Sequence, residues 1–241
     1  MEPQEQGISR RQWLARVGAA AVVPAAAAGV LAAQQSHGGH GAPDARTPAT
    51  PEAALRSLME GNRRFAQGRA NNPNRTLARL QELGTRQAPF AAVLACADSR
   101  LPVEILFDQG FGDVFVTRVA GNIATSEVIG SLEYATEVLG AKVVMVLGHS
   151  ACGAVKATMD GQVVPGQIGS LYPYIHPAVE DARGRGVDAV VEENVRNQVD
   201  ILRAASPVLA SALRGGKVVV AGGMFNFRTG LVTPVVSPGR T

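Results

Sequence analysis

Two short stretches of this sequence place reactive side chains at the ends of apolar runs. "LACADSR" (residues 94–100) closes "FAAVLACAD" with a thiol at Cys96, a carboxylate at Asp98 and a guanidinium at Arg100. "VVMVLGHSACGAV" closes a second run with His149 and Cys152. Two cysteines and a histidine are a donor set for zinc, and three protein ligands with an open fourth position mark a catalytic site rather than a structural one. His-x-x-Cys at a strand-to-helix turn can present both groups to one ion, and a helix N-terminus beginning near Ser150 favours a thiolate at Cys152. Asp98, two residues beyond Cys96, falls on the same side of an extended chain. It can be a fourth ligand, or it can accept a hydrogen from a metal-bound hydroxide. Arg100 can hold its carboxylate through a charge-assisted, bidentate contact. Each half of this pattern is weak alone; together they use every cysteine in the chain and are specific. The rival is a metal-free redox or structural protein with a Cys96–Cys152 disulfide, which gives Asp98, Arg100 and His149 no task.

The elements that must position these groups alternate along the chain. The β-rich runs are Phe90–Ala97, Asp113–Ala120, Lys142–Leu147, Lys217–Ala221 and Leu231–Val236. Between and before them lie helical stretches. "PEAALRSLMEGNRRFAQG" sets Ala54, Leu55, Leu58, Met59 and Phe65 on one face. Thr76 can cap "LARLQELGTRQ". Further helical stretches start at Thr125, Ala151 and Val187. "AAVLA" and "KVVMVL" are apolar throughout, as strands covered on both faces must be. The pattern predicts an α/β fold with a mainly parallel central sheet flanked by helices. In such sheets ligands sit at the carboxyl ends of strands, so the four groups meet at one edge if the first and third strands are neighbours.

Composition narrows the partners. The 241 residues carry 23 Lys and Arg against 20 Asp and Glu, a net +3, with 46% hydrophobic and 5% aromatic residues. Without a basic stripe or aromatic platforms, nucleic-acid binding is set aside. Residues 1–33 carry Arg10, Arg11 and an Ala-rich apolar run from Val17 to Ala33, which resembles a twin-arginine export signal with Trp13 where a Phe is usual. An uncleaved membrane anchor is the alternative, because the run is only marginally long enough to span. On the export reading the chain is periplasmic or extracellular, and it touches a membrane only through its signal. Residues 34–50 are Gly/Pro/Ala-rich and are expected to form a flexible linker in which His37 and His40 are solvated. Residues 51–241 are expected to form the catalytic domain.

From residue 51 onward the sequence resembles the β-class carbonic anhydrases. "LMEGNRRFAQG", "ACADSRLPVEILFDQGFGDVFVTRVAGN", "GSLEYATEVLG", "VLGHSACGAV" and "GGMFNFRTGLV" carry the likeness. It implies that Cys96, His149 and Cys152 bind one zinc per subunit, that Asp98 and Arg100 form a catalytic dyad, and that carbon dioxide is hydrated reversibly to bicarbonate and a proton. It also implies pocket roles for Gln87, reaching the neighbouring subunit's site, for Phe115 and Tyr134, and for the backbone N–H of Gly153. For Phe115 and Tyr134, plain core packing is an equal alternative. The likeness implies a homodimer or tetramer in which the helices of residues 52–86 embrace a partner. Some members hold bicarbonate in a non-catalytic pocket that includes a Trp three residues before the first cysteine. Here that residue is Val93, so the open state is expected, with Asp98 paired to Arg100 rather than closing on the metal. Two thiolates neutralise more of the metal's charge than three imidazoles, so water acidity should fall short of a His₃ site, where the pKa is about 7. Hydrolysis of carbonyl sulfide or carbon disulfide on the same fold is the competing activity, and a zinc-binding protein without catalysis the remaining one.

Overall fold

In the computed structural model, which describes residues 48–238, two runs are buried at every position: β1 (Ala91–Ala95) and β3 (Val143–His149). They pair in parallel at the centre of a five-stranded sheet. The outer strands are β2 (Val114–Arg118), β4 (Val219–Phe225) and β5 (Val232–Val236), in the order β2-β1-β3-β4-β5. Only β5 runs antiparallel. Alternate residues feed opposite faces: Ala91, Val93, Ala95, Met145 and Leu147 join one apolar cluster, and Ala92, Leu94, Val144 and Val146 the other. Helices must therefore cover both sides.

The helices are α1 (Pro51–Ala66), α2 (Leu77–Glu82), α3 (Val103–Leu106), α4 (Ser126–Glu133), α5 (Gly153–Met159), α6 (Tyr172–Asp181), α7 (Val187–Ala205) and α8 (Pro207–Arg214). Helix α1 starts where the Thr50 hydroxyl accepts from the Ala53 N–H at 3.2 Å, with Pro51 in the first turn. It buries Ala54, Leu58, Gly61 and Asn62. Asn62 donates to the carbonyls of Leu106 and Gly230 and accepts from the Val232 N–H at 2.8 Å. One side chain thus ties α1 to α3 and to the β4–β5 connection. Asp108, fully buried, accepts from Arg64 Nε at 2.7 Å and from the Asn71 and Asn72 N–H groups. Those donors satisfy a charge that would otherwise be costly to bury.

Several boundaries differ from the sequence pattern. The helix expected over 77–87 stops at Glu82, with Leu83 as its C-cap and Gly84, a poor helix former, directly after it. Strand β3 runs two residues further than expected, so His149 is its last residue. Strand β4 extends to Phe225. The stretch from Thr125 forms α4 and then widens into a π-turn over Tyr134–Val138, where the Thr136 hydroxyl donates to the Leu132 carbonyl. Helices α3, α6 and α8 were not legible as separate elements. The export signal and all of the linker before residue 48 lie outside the described residues, among which no helix is long and apolar enough to cross a membrane.

Two glycines separate close packing from helix propensity. A Cβ on Gly61 would lie 1.8 Å from the Phe107 backbone oxygen, whereas one on Gly130, inside α4, would meet nothing within 4 Å. Gly61→Ala should cost about 3 kcal/mol or more, and Gly130→Ala should stabilise by about 0.5–1 kcal/mol. Opposite shifts in Tm are the expected result.

Candidate metal centre

The β1–β3 register pairs Ala95 with Leu147. Cys96, the next residue, therefore leaves the sheet beside the end of β3, where His149 stands. The chain then turns through Ser150 and Ala151 and enters α5, with Cys152 as its N-cap. Ala151 holds the left-handed conformation, φ 54°, and its N–H donates to Asp188 Oδ1 at 2.9 Å, so the first turn of α7 pins the bend. The result is a buried group of three: the ligand atoms of Cys96, His149 and Cys152 all lie within 4.8 Å of one another. Both cysteines are free, so the structure contains no disulfide between them.

Protonation of the three shows what they lack. His149 Nδ1 donates to the Ser150 carbonyl at 3.0 Å. That leaves the lone pair on Nε2, which is buried and makes no hydrogen bond. The neighbouring Cys152 thiol, aided by His149 and the backbone N–H groups of Gly121 and Asp98, overcomes burial and pulls Cys96 down to about 4. Cys152 is pushed up by the Cys96 sulfur and by burial, against the N–H groups at the start of α5. The imidazole of His149 is disfavoured as a cation by burial, yet the Cys96 sulfur, the Ser150 carbonyl and Asp98 outweigh this and raise its pKa. Cys152 favours charge on Cys96 while Cys96 opposes charge on Cys152, and a bound divalent cation would let both be thiolates. Two sulfurs and an unsatisfied imidazole nitrogen fit a borderline-soft ion with tetrahedral preference.

Asp98 stands beside this group. Arg100 donates to it from Nε at 3.0 Å, from Nη2 at 2.8 Å and from its own backbone N–H at 2.9 Å. The Arg100 hydrogen bonds hold the Asp98 carboxyl well below the usual carboxylate range, against a smaller burial penalty. Asp98 Oδ2 is 4.0 Å from His149 Nε2, facing the ligand group while engaged by Arg100.

The remaining expected residues are placed differently. Gly153 opens α5 at the surface, where a Cβ would meet nothing within 4 Å. Phe115 and Tyr134 pack on each other, ring centroids 6.4 Å apart, with Tyr134 exposed. Neither makes a hydrogen bond or ring contact with the Cys–His–Cys group or with Asp98. Gln87 is exposed on the segment leading into β1. Other groups at the site gave little signal. Arg118, at the end of β2, donates from Nε to the Cys96 carbonyl at 3.1 Å and from Nη2 to the Asp98 carbonyl. A lone charge closing "DVFVTR" was the available hint. Gly121 N–H donates to Cys96 Sγ at 3.3 Å. The Gly121 carbonyl is held at 2.9 Å by Asn194, itself held by Gln198; both amides are fully buried on α7. Polar residues on a helix face carry no mark of that task.

Comparison with known proteins identifies the family. A family model described as carbonic anhydrase matches residues 91–232. Carbonic anhydrase 2 of Mycobacterium tuberculosis is 39% identical over 179 residues, covering 71% of this chain and 86% of that protein. The carbonic anhydrase of Mycolicibacterium smegmatis is 38% identical over 189 residues, covering 76% and 92%. Among solved structures, the Coccomyxa β-carbonic anhydrase in complex with acetazolamide superposes with a TM-score of 0.61 at 30% identity, covering 77% of this chain and 88% of that one. With ligand-type residues gathered at the same parallel-sheet edge that this fold presents, the chain belongs to the carbonic anhydrase family, in its β-class.

Proposed function

We propose that this chain is a zinc carbonic anhydrase that hydrates carbon dioxide reversibly to bicarbonate and a proton. What carries this is the convergence of Cys96, His149 and Cys152, ligand atoms within 4.8 Å, beside a carboxylate that Arg100 grips. Relatives named carbonic anhydrase support it. Cys96, His149 and Cys152 would hold the metal and leave a fourth position free. Zinc, when bound, supplies a Lewis acid that brings proton loss from water into the working pH range.

The chain's own groups supply orientation. Asp98 is ionised throughout the working range, because Arg100 keeps its pKa low. An ionised carboxylate only accepts, so Asp98 can accept a hydrogen bond from the attacking oxygen and so direct that oxygen's lone pair at the carbon of the substrate. Gln87, Phe115 and Tyr134 are proposed to complete the pocket in an oligomer. In the single chain α2 buries none of its residues, and Leu77 and Leu80 are exposed along it, which favours a partner subunit in a dimer or tetramer.

Asp98→Asn should retain one zinc per chain and lose about 10²–10⁴ of the hydration rate; wild-type turnover would remove Asp98 from the chemistry. Stopped-flow hydration by the wild type should rise with pH through a midpoint above about 7, with no acid limb from Asp98. The same preparation offered carbonyl sulfide and carbon disulfide should hydrolyse them far more slowly, and the reverse order would reassign the substrate. Cys152→Ser should lower zinc content, counted by mass spectrometry, together with activity. We also propose that residues 1–33 direct export in folded form, resting on Arg10, Arg11 and the Ala-rich run. Replacing both arginines by lysine should leave the protein in the cytoplasm, as read by fractionation.

A further inference from the structure

Arg100 poses a problem that its pairing with Asp98 does not solve. Its side chain is 57% exposed. Exposed ion pairs are weak, and an arginine stem has many rotamers to lose. Yet Asp98 can aim a hydrogen bond only if the guanidinium stays where it is. Phe227 supplies the missing floor: its ring lies under the Arg100 guanidinium carbon, 4.2 Å from the centroid. The same ring stands edge-on to His149, centroids 5.3 Å apart at 60°. Phe225, buried and the last residue of β4, backs it at 5.4 Å and 85°.

The backbone fixes this ring as firmly as its neighbours do. Strand register pairs His149 with Phe225. Beyond that pair, Ser150 N–H donates to the Phe225 carbonyl at 2.9 Å, and Phe227 N–H donates to the Ser150 hydroxyl at 3.2 Å. The segment following β4 is thus latched to the turn that carries His149. A benzene ring offers a negative face to a cation and a positive rim to neighbouring π-systems. Phe227 presents its face to Arg100, so the ring that touches a ligand-type histidine also restrains the dyad cation.

We infer that Phe227 is a positioning residue for the reaction, acting through Arg100 to hold the Asp98 carboxylate; this rests on the activity proposed above. Zinc-loaded, ¹⁵N-labelled full chain tests it by two independent readouts. In the wild type the Arg100 Nε–H resonance, assigned by its loss in Arg100→Lys, should be shifted upfield by the ring current, and Phe227→Leu should abolish that shift. Phe227→Leu should lower kcat/KM for hydration about two- to fivefold, at unchanged zinc content and Tm, while Phe227→Tyr, which keeps the face, should restore it. Phe227→Met replaces the leucine variant if the latter loses zinc. In an Arg100→Ala background the leucine change should cost nothing further. An Nε–H resonance unmoved by Phe227→Leu, an equal loss in the Arg100→Ala background, or a tyrosine variant as impaired as leucine would each overturn the inference. A wild type without hydration activity would withdraw the proposed reaction, and the resonance would still decide whether the ring holds Arg100.

Discussion

The parallel pairing of β1 with β3 is the constraint on which the site depends. It brings Cys96 and His149 to the same edge although they are 53 positions apart in the chain. A slip of one residue would exchange the faces that every side chain of β1 presents and send the sulfur away from the imidazole. The register is protected by burial on both faces, since Val93 and Leu94 belong to different apolar clusters. Neither cluster could be filled after such a slip without cavities or clashes.

Electrostatics follow from that placement. Buried side by side, Cys96 and Cys152 move each other's ionisation in opposite directions, Cys96 down and Cys152 up. Asp98 is different: its partner Arg100 lies toward solvent, and its charge is settled locally. The group therefore has a buried inner part whose two sulfurs influence each other's ionisation and an outer part whose charge is set by Arg100. Arg118 joins the two by gripping the carbonyls of Cys96 and Asp98.

Much of this was legible from residue types alone. Cys96, Asp98, Arg100, His149 and Cys152 stand at the ends of apolar runs, where a fold seeking only burial would place turn formers; their gathering at one edge depended on the first and third strands being neighbours, which the sheet order supplies. The five strands were readable because their apolar runs are short and bounded. Helix α3, with four residues, is too short to show a period, and α6 carries Pro177 within it, which breaks the helical signal. The supporting groups were hidden for another reason. Asn194 and Gln198 look like the solvated side of a helix until tertiary packing turns them inward. Phe227 reads as one apolar residue in a turn until the β4–β3 register sets it beside His149.

The order of these residues along the chain bears on biosynthesis. A ribosome that has released the polypeptide through α5 has delivered both sulfurs and the imidazole, but not the amides of α7 or the aromatic latch beyond β4. At that stage β4, which flanks β3 in the finished sheet, does not exist. An ion captured then would meet donors without their backing. The full set of contacts that back the two sulfurs and the imidazole can therefore form only when nearly the whole chain has been made.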